Sequence, residues 1–141
     1  MDPVSTVGLI GSCLSVANGA FATINNVRSL IQSYSQAKQR INLISGQINT
    51  VCVALSSLEN WARKEAAETT LASPTGASFE QSIHCCVLII SAISEHVSAC
   101  QSMGVRQRVK YLFNESKLDG FGRSLKDQIS ALQLLVSAIH L

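Results

Sequence analysis

The stretch INLISGQINTVCVALSSLENWA, residues 41–62, decides the fold class of this chain. Its apolar positions Ile41, Ile44, Ile48, Val51, Leu55, Leu58 and Ala62 alternate in steps of three and four without a break. That spacing sets all of them on one face of an α-helix, whereas a strand would need a period of two. Further series keep the same period on either side. They are Val7, Ile10, Leu14, Ala17, Phe21, Ile24, Ile31; then Phe79, Ile83, Cys86, Ile90, Ile93, Val97; then Leu118, Phe121, Leu125, Leu132, Leu135, Ile139, with Ile129 in the same stripe. A strand at 85–90 is the one rival, and it fails because its neighbours continue the helical period.

The pattern therefore predicts an all-α protein, an antiparallel four-helix bundle with a short extra helix before the last long one. The long helices are expected roughly at 3–33, 37–71, 78–102 and 116–140. Val105, Val109 and Leu112 suggest the short one, at 105–113. Asp2 and Pro3 form a helix start, because a proline in the first turn gives up an N–H that has no partner anyway. Pro74, within Ala72-Ser73-Pro74-Thr75-Gly76, reads as a loop. Ser78 or Thr75 is the expected cap of the third helix, and Asn114 or Ser116 that of the fourth.

At 141 residues the chain reads as one domain, 1–141, able to bury roughly 68–70% of its unfolded surface. Only 14% of residues are charged and 47% are apolar, which excludes intrinsic disorder. A net charge of +2, with no recognisable reading element, argues against a nucleic-acid partner. Cys13, Cys52, Cys85, Cys86 and Cys100 contain no CxxC pair, and no basic residue precedes the first apolar stretch. A reduced, cytoplasmic chain is the expectation, with the cysteines as small core residues. The last stripe runs to Leu141 without a cap, which raises the expectation of a domain boundary there or of further chain beyond it.

No catalytic signature is present: no GxxxxGK[ST], no GxSxG, no HExxH. Gly120-Phe121-Gly122 lacks the third glycine of a dinucleotide fingerprint and reads as a place of close helix packing. His96 and Cys100, with His84, Cys85 and Cys86 nearby, lie on one expected helix, whereas zinc needs ligands converging from several directions. Core cysteines and surface histidines are the expected reading. Glu65 and Glu68, beside Arg63 and Lys64, read as a solvated helix end. The expectation is a protein that is not an enzyme and holds no cofactor or metal.

Two features stand out from this background. Residues 3–27 carry no charge, yet Ser, Thr, Asn and Gly are scattered through them. A soluble surface helix normally has a charged face, and a membrane span normally carries less polarity. Within this stretch Gly11, Ser15 and Gly19 recur every four residues. Small residues so spaced let helices approach closely, commonly inside a soluble fold and also within a bilayer. The second feature is a basic run, Arg106, Arg108, Lys110, Lys117, Arg123 and Lys126, interleaved with Tyr111, Leu112 and Phe113. Cationic groups flanking an aromatic and aliphatic patch suit an anionic membrane surface, and equally a solvated helix–loop face.

Taken in order, the opening Met1-Asp2-Pro3-Val4-Ser5, the uncharged first helix, the Ile-rich second helix, the 106–113 segment and the last helix with Leu125, Ala131-Leu132 and Leu134-Leu135 resemble fungal HeLo-like N-terminal domains. The resemblance spans essentially the whole chain and rests on the order and spacing of these segments. It departs in one place: several relatives have a Trp in a more basic segment, where this chain has Tyr111 and Phe113. Such domains stand ahead of a NACHT or NB-ARC nucleotide-binding module, ankyrin repeats or an amyloid-type signalling motif. They are similar to the four-helix executioner domains of necroptosis and of plant immune receptors. The resemblance implies a cytoplasmic effector domain of a fungal NLR-type receptor. It would self-associate when a downstream NTPase or repeat module is triggered, reach the anionic face of the plasma membrane, and cause programmed cell death. In that reading Val7, Ile10, Gly11, Leu14, Ser15, Gly19 and Phe21 belong to the inserting helix, and Arg106, Arg108, Lys110 and Lys117 contact lipid headgroups. The alternative is an oligomerisation or protein-interaction scaffold without membrane activity.

Overall fold

The computed structural model describes residues 3–29, 35–64, 73–99, 104 and 115–139. Among these residues there are four helices and no strand: α1 (Pro3–Arg28), α2 (Ser35–Lys64), α3 (Ser73–Ala99) and α4 (Glu115–Ile139). They pack as a helical bundle in which α1 lies against α2 and α3, and α4 lies against the same two helices. Like ends of α1 and α3 meet where Thr23 and Ser94 place their hydroxyls 3.5 Å apart. Like ends of α2 and α4 meet where Arg40 donates to Asp119 at 2.9 Å. The short helix expected at 105–113 lies outside the described residues.

The second stripe is core in full. Ile41, Ile44, Ile48, Val51, Leu55, Leu58 and Ala62 are all buried, and Ala37 extends the row by a turn. On α3 the expected Ile83, Cys86, Ile90, Ile93 and Val97 are buried as well. Helix α4 is anchored more thinly. Leu118, Leu125 and Leu132 are buried one heptad apart, while Phe121, Ile129, Leu135 and Val136 are half-buried beside them.

Helix α1 keeps Ile10, Ala17 and Ile24 of its expected stripe but turns so that Cys13 and Ala20 take the buried places expected of Leu14 and Phe21. Its buried row is Ile10, Cys13, Ala17, Ala20, Ile24 and Val27, and Leu14 and Phe21 are only half-buried at the edge. The physical reason is side-chain size. Cys13, Ala17 and Ala20 let the α1 backbone come close to two neighbours at once, and the bulkier Leu14 and Phe21 fill the margins.

Helix α3 starts earlier than the expected 78, at Ser73. Pro74 therefore lies in its first turn rather than in a loop, where a missing N–H costs no helical bond and the ring meets no preceding turn. Helix α1 gives way to a single 3-10 residue at Ser29, and the expected continuations of α1, α2 and α3 at 30–33, 65–71 and 100–102 lie outside the described residues.

Candidate functional site

The residues assigned to the inserting helix fall on two faces of α1. Ile10 is fully buried, and Val7, Leu14 and Phe21 are half-buried. Gly11, Ser15 and Gly19 are exposed. A Cβ placed on Gly11 or Gly19 would meet no atom within 4 Å. The small-residue row is thus not used for packing inside the bundle, which removes the ordinary explanation for its spacing. Core packing of α1 is done by a different set of small residues, Cys13, Ala17 and Ala20.

The outward face of α1 also contains Gly8, Ser12, Asn18, Ala22, Asn25 and Asn26, so the exposed surface is small, uncharged and weakly polar. Part of that polarity is satisfied within the helix itself. Ser12 donates to the Gly8 carbonyl at 3.2 Å, and Thr23 to the Gly19 carbonyl at 3.0 Å. A hydroxyl bonded to the preceding turn needs no water, which lowers the cost of taking the helix into an apolar medium.

Two more helices carry long apolar stretches with few charges, although the α3 span keeps Glu80 and Glu95. The segments Val7–Arg28, Gln36–Lys64 and Glu80–Ala99 are each long and apolar enough to cross a membrane by length and composition. The signal was legible. Residues 41–58 contain no charged side chain, with Lys38 and Arg40 on one flank and Glu59, Arg63 and Lys64 on the other. The strong amphipathic stripe of α2 drew attention to its buried side instead.

Of the basic set, Lys117 is described and is exposed near the start of α4. Arg106, Arg108 and Lys110 lie outside the described residues. Arg123 and Lys126 are exposed on α4, further along the same helix.

The titratable residues of α3 require one correction. His84 is a surface histidine, 3.8 Å from Glu80. His96 is not: it is 3% exposed, with its ring edge-to-face against Phe121 of α4 at 5.8 Å and 67°. Aromatic pairs favour this geometry, and the imidazole supplies the apolar bulk that joins α3 to α4 at that level. Burial, and then the Lys117 charge, push its pKa below the ordinary histidine value. Cys86 is buried, and burial pushes its thiol up to about 12, so it is a protonated, unreactive core group. Cys52 and Cys85 are half-buried and free, and Cys100 lies outside the described residues. Among the described residues no three His, Cys, Asp or Glu side chains converge as a metal site.

Gly122 marks a close approach of α4 to α2: a Cβ there would sit 3.5 Å from Gln47 Oε1 and 3.9 Å from Ile44 Cδ1. Gln47 Nε2 donates to the Gly122 carbonyl at 3.2 Å. Gly120 has no such neighbour. Arg63 pairs with Glu59 at 3.3 Å, and Glu65 and Glu68 lie outside the described residues.

No family model matches the chain, and comparison with curated proteins and with solved structures finds no match.

Proposed function

We propose that this chain is a non-enzymatic effector domain that self-associates and then perturbs a membrane, as its resemblance to fungal HeLo-like domains implies. One observation carries the reading: α1 turns a charge-free row of small residues, Gly11, Ser15 and Gly19, outward from a bundle that does not need them. On a soluble monomer the outer face of a helix is normally charged. A face of this kind suits contact with a second helix, in a bilayer or between copies.

In this reading the resting protein is a cytoplasmic bundle whose consecutive helices run antiparallel, with a short helix at 105–113 folded back on it. Clustering by a downstream NTPase or repeat module brings several α1 helices together. The 22 residues of Val7–Arg28 suffice to span a hydrocarbon core, which needs about 20. Ser, Thr and Asn side chains would then face partner helices or water, which favours an oligomer over a single span. Arg106, Arg108, Lys110 and Lys117 would hold the anionic plasma-membrane surface, and cell death would follow from loss of the barrier.

The test is dye release from phosphatidylserine-containing vesicles by the chain fused to a chemically induced oligomerisation module. Release on clustering, and little without it, is the expected result. Clustered protein that releases no dye would overturn membrane activity. The same exposed face would then support the scaffold reading, in which α1 packs against α1 of another copy.

A further inference from the structure

Away from α1, the first halves of α2 and α4 enclose a cleft of about 360 Å³. Ile44 and Leu118 give it an apolar floor, and Gly122, which has no side chain, leaves that floor open. A second hollow of about 430 Å³ shares Arg40, Leu43 and Asp119 with it and continues toward Gln36 and Gln39. Each volume lies in the range of roughly 300–1,000 Å³ that small-molecule sites occupy. Leu43 stands between the two hollows and is 65% exposed.

The charge around this apolar floor is one-sided. Arg40, Arg123 and Lys126 line it against a single carboxylate, Asp119, which Arg40 already holds at 2.9 Å. Arg123 and Lys126 form no ion pair among the described residues. The cleft wall also carries Gln47, whose Nε2 is engaged by the Gly122 carbonyl. Its Oε1 is buried without a donor among the described residues.

We infer that the α2–α4 cleft binds a monomeric single-chain amphiphile with an anionic head, of the phosphate monoester or lysophospholipid class. The tail lies on Ile44, Leu118 and Leu43, and the head meets Arg123 and Lys126. Charge complementarity selects the anion, and the apolar floor selects an amphiphile over free phosphate. This inference uses no residue of α1 and stands independently of the membrane reading.

Octyl phosphate, held below its micelle concentration, is the probe, with inorganic phosphate and the uncharged octyl glucoside as comparisons. Calorimetry should give measurable binding of octyl phosphate to the full chain, and amide shifts should map to Ile44, Leu118 and Gly122. The paired exchange Arg123→Glu and Lys126→Glu lies on exposed positions and removes both cationic contacts, so it should weaken binding by roughly tenfold or more, a floor set by one charge-assisted contact. Leu43→Asp, also exposed, should weaken it without unfolding the bundle. Equal affinity for octyl glucoside, equal affinity for inorganic phosphate, or unchanged binding by the paired variant would each overturn the inference. Phosphatidylglycerol vesicles complete the set. Binding to them that depends on Arg123 and Lys126, with none to monomeric octyl phosphate, would reassign the cleft to a bilayer headgroup.

Discussion

Ser15→Lys separates the two states that the proposal assigns to α1. In the bundle Ser15 is exposed, and the neighbouring Gly11 and Gly19 positions have open space around them. A lysine there extends into water, loses no buried contact, and should change stability by no more than about 0.5 kcal/mol. Within a membrane the same residue is deep. Eight residues separate it from Val7, about 12 Å of helix rise, so it stands well inside the hydrocarbon core. A central lysine costs roughly 2.5–3.5 kcal/mol per chain on the insertion scale. At 1.36 kcal/mol per factor of ten that is about a 70- to 400-fold loss of inserted chains. The assay pairs urea denaturation of the variant with dye release after forced clustering. A folded variant with release lowered by about two orders of magnitude or more is the expected result. Ser15→Glu guards against a position that lines a water-filled pore, where Lys and Glu would shift ion selectivity in opposite directions instead of abolishing release. Folded Lys and Glu variants that both release dye at the wild-type rate, with unchanged selectivity, would refute insertion of α1. Deleting α1 is a poorer experiment, because it removes Ile10, Cys13, Ala17, Ala20, Ile24 and Val27 from the core.

Leu55→Ala should destabilise the bundle by about 2–5 kcal/mol, the range for truncating a fully buried leucine, and denaturant titration will measure it. A loss under half of one kcal/mol would contradict the packing of α2. His96 is held below its ordinary pKa by burial, so the folded state takes up its proton less readily than the unfolded state. Its contribution to stability is full above about pH 6.5 and declines as pH falls from there toward the lowered folded value. Denaturation midpoints between pH 7.5 and 5 should fall, and His96→Gln, which cannot take the proton, should flatten that slope; equal slopes would exclude His96 as the titrating group. Charge reversal at Arg106, Arg108 and Lys110 should weaken co-sedimentation with anionic liposomes, and added salt should weaken the wild type in the same way. Equal sedimentation of variant and wild type would remove that segment from the mechanism.

The local sequence pattern determined the helical class and most of the core. Residues 41–62 needed only their period to be read, because a seven-membered stripe at steps of three and four has one buried solution on a helix. The series on α3 and α4 were legible for the same reason. Periodicity says which residues share a face, but the centre of that face is chosen by the neighbours. On α1 the apolar stripe pointed to Leu14 and Phe21, while two closely packed helices selected Cys13 and Ala20. His96 shows the same limit. A histidine at that register is compatible with solvent or with a partner ring, and only the arrival of Phe121 from α4 buries it.

The candidate site was half legible. A charge-free α1 and its row at Gly11, Ser15 and Gly19 could be read directly from the sequence, since charge is a property of composition. That the row faces outward could not be read, because small residues at this spacing serve a packed interface and a free one equally well. The α2–α4 cleft was invisible at that level for a further reason. Arg40, Gln47 and Gly122 come from segments that periodicity treats separately. Their meeting depends on how α4 settles against α2, with Gly122 close enough for its carbonyl to accept the Gln47 amide. Side-chain chemistry along the chain determined what each helix can bury, and the packing of helix on helix decided what each leaves exposed.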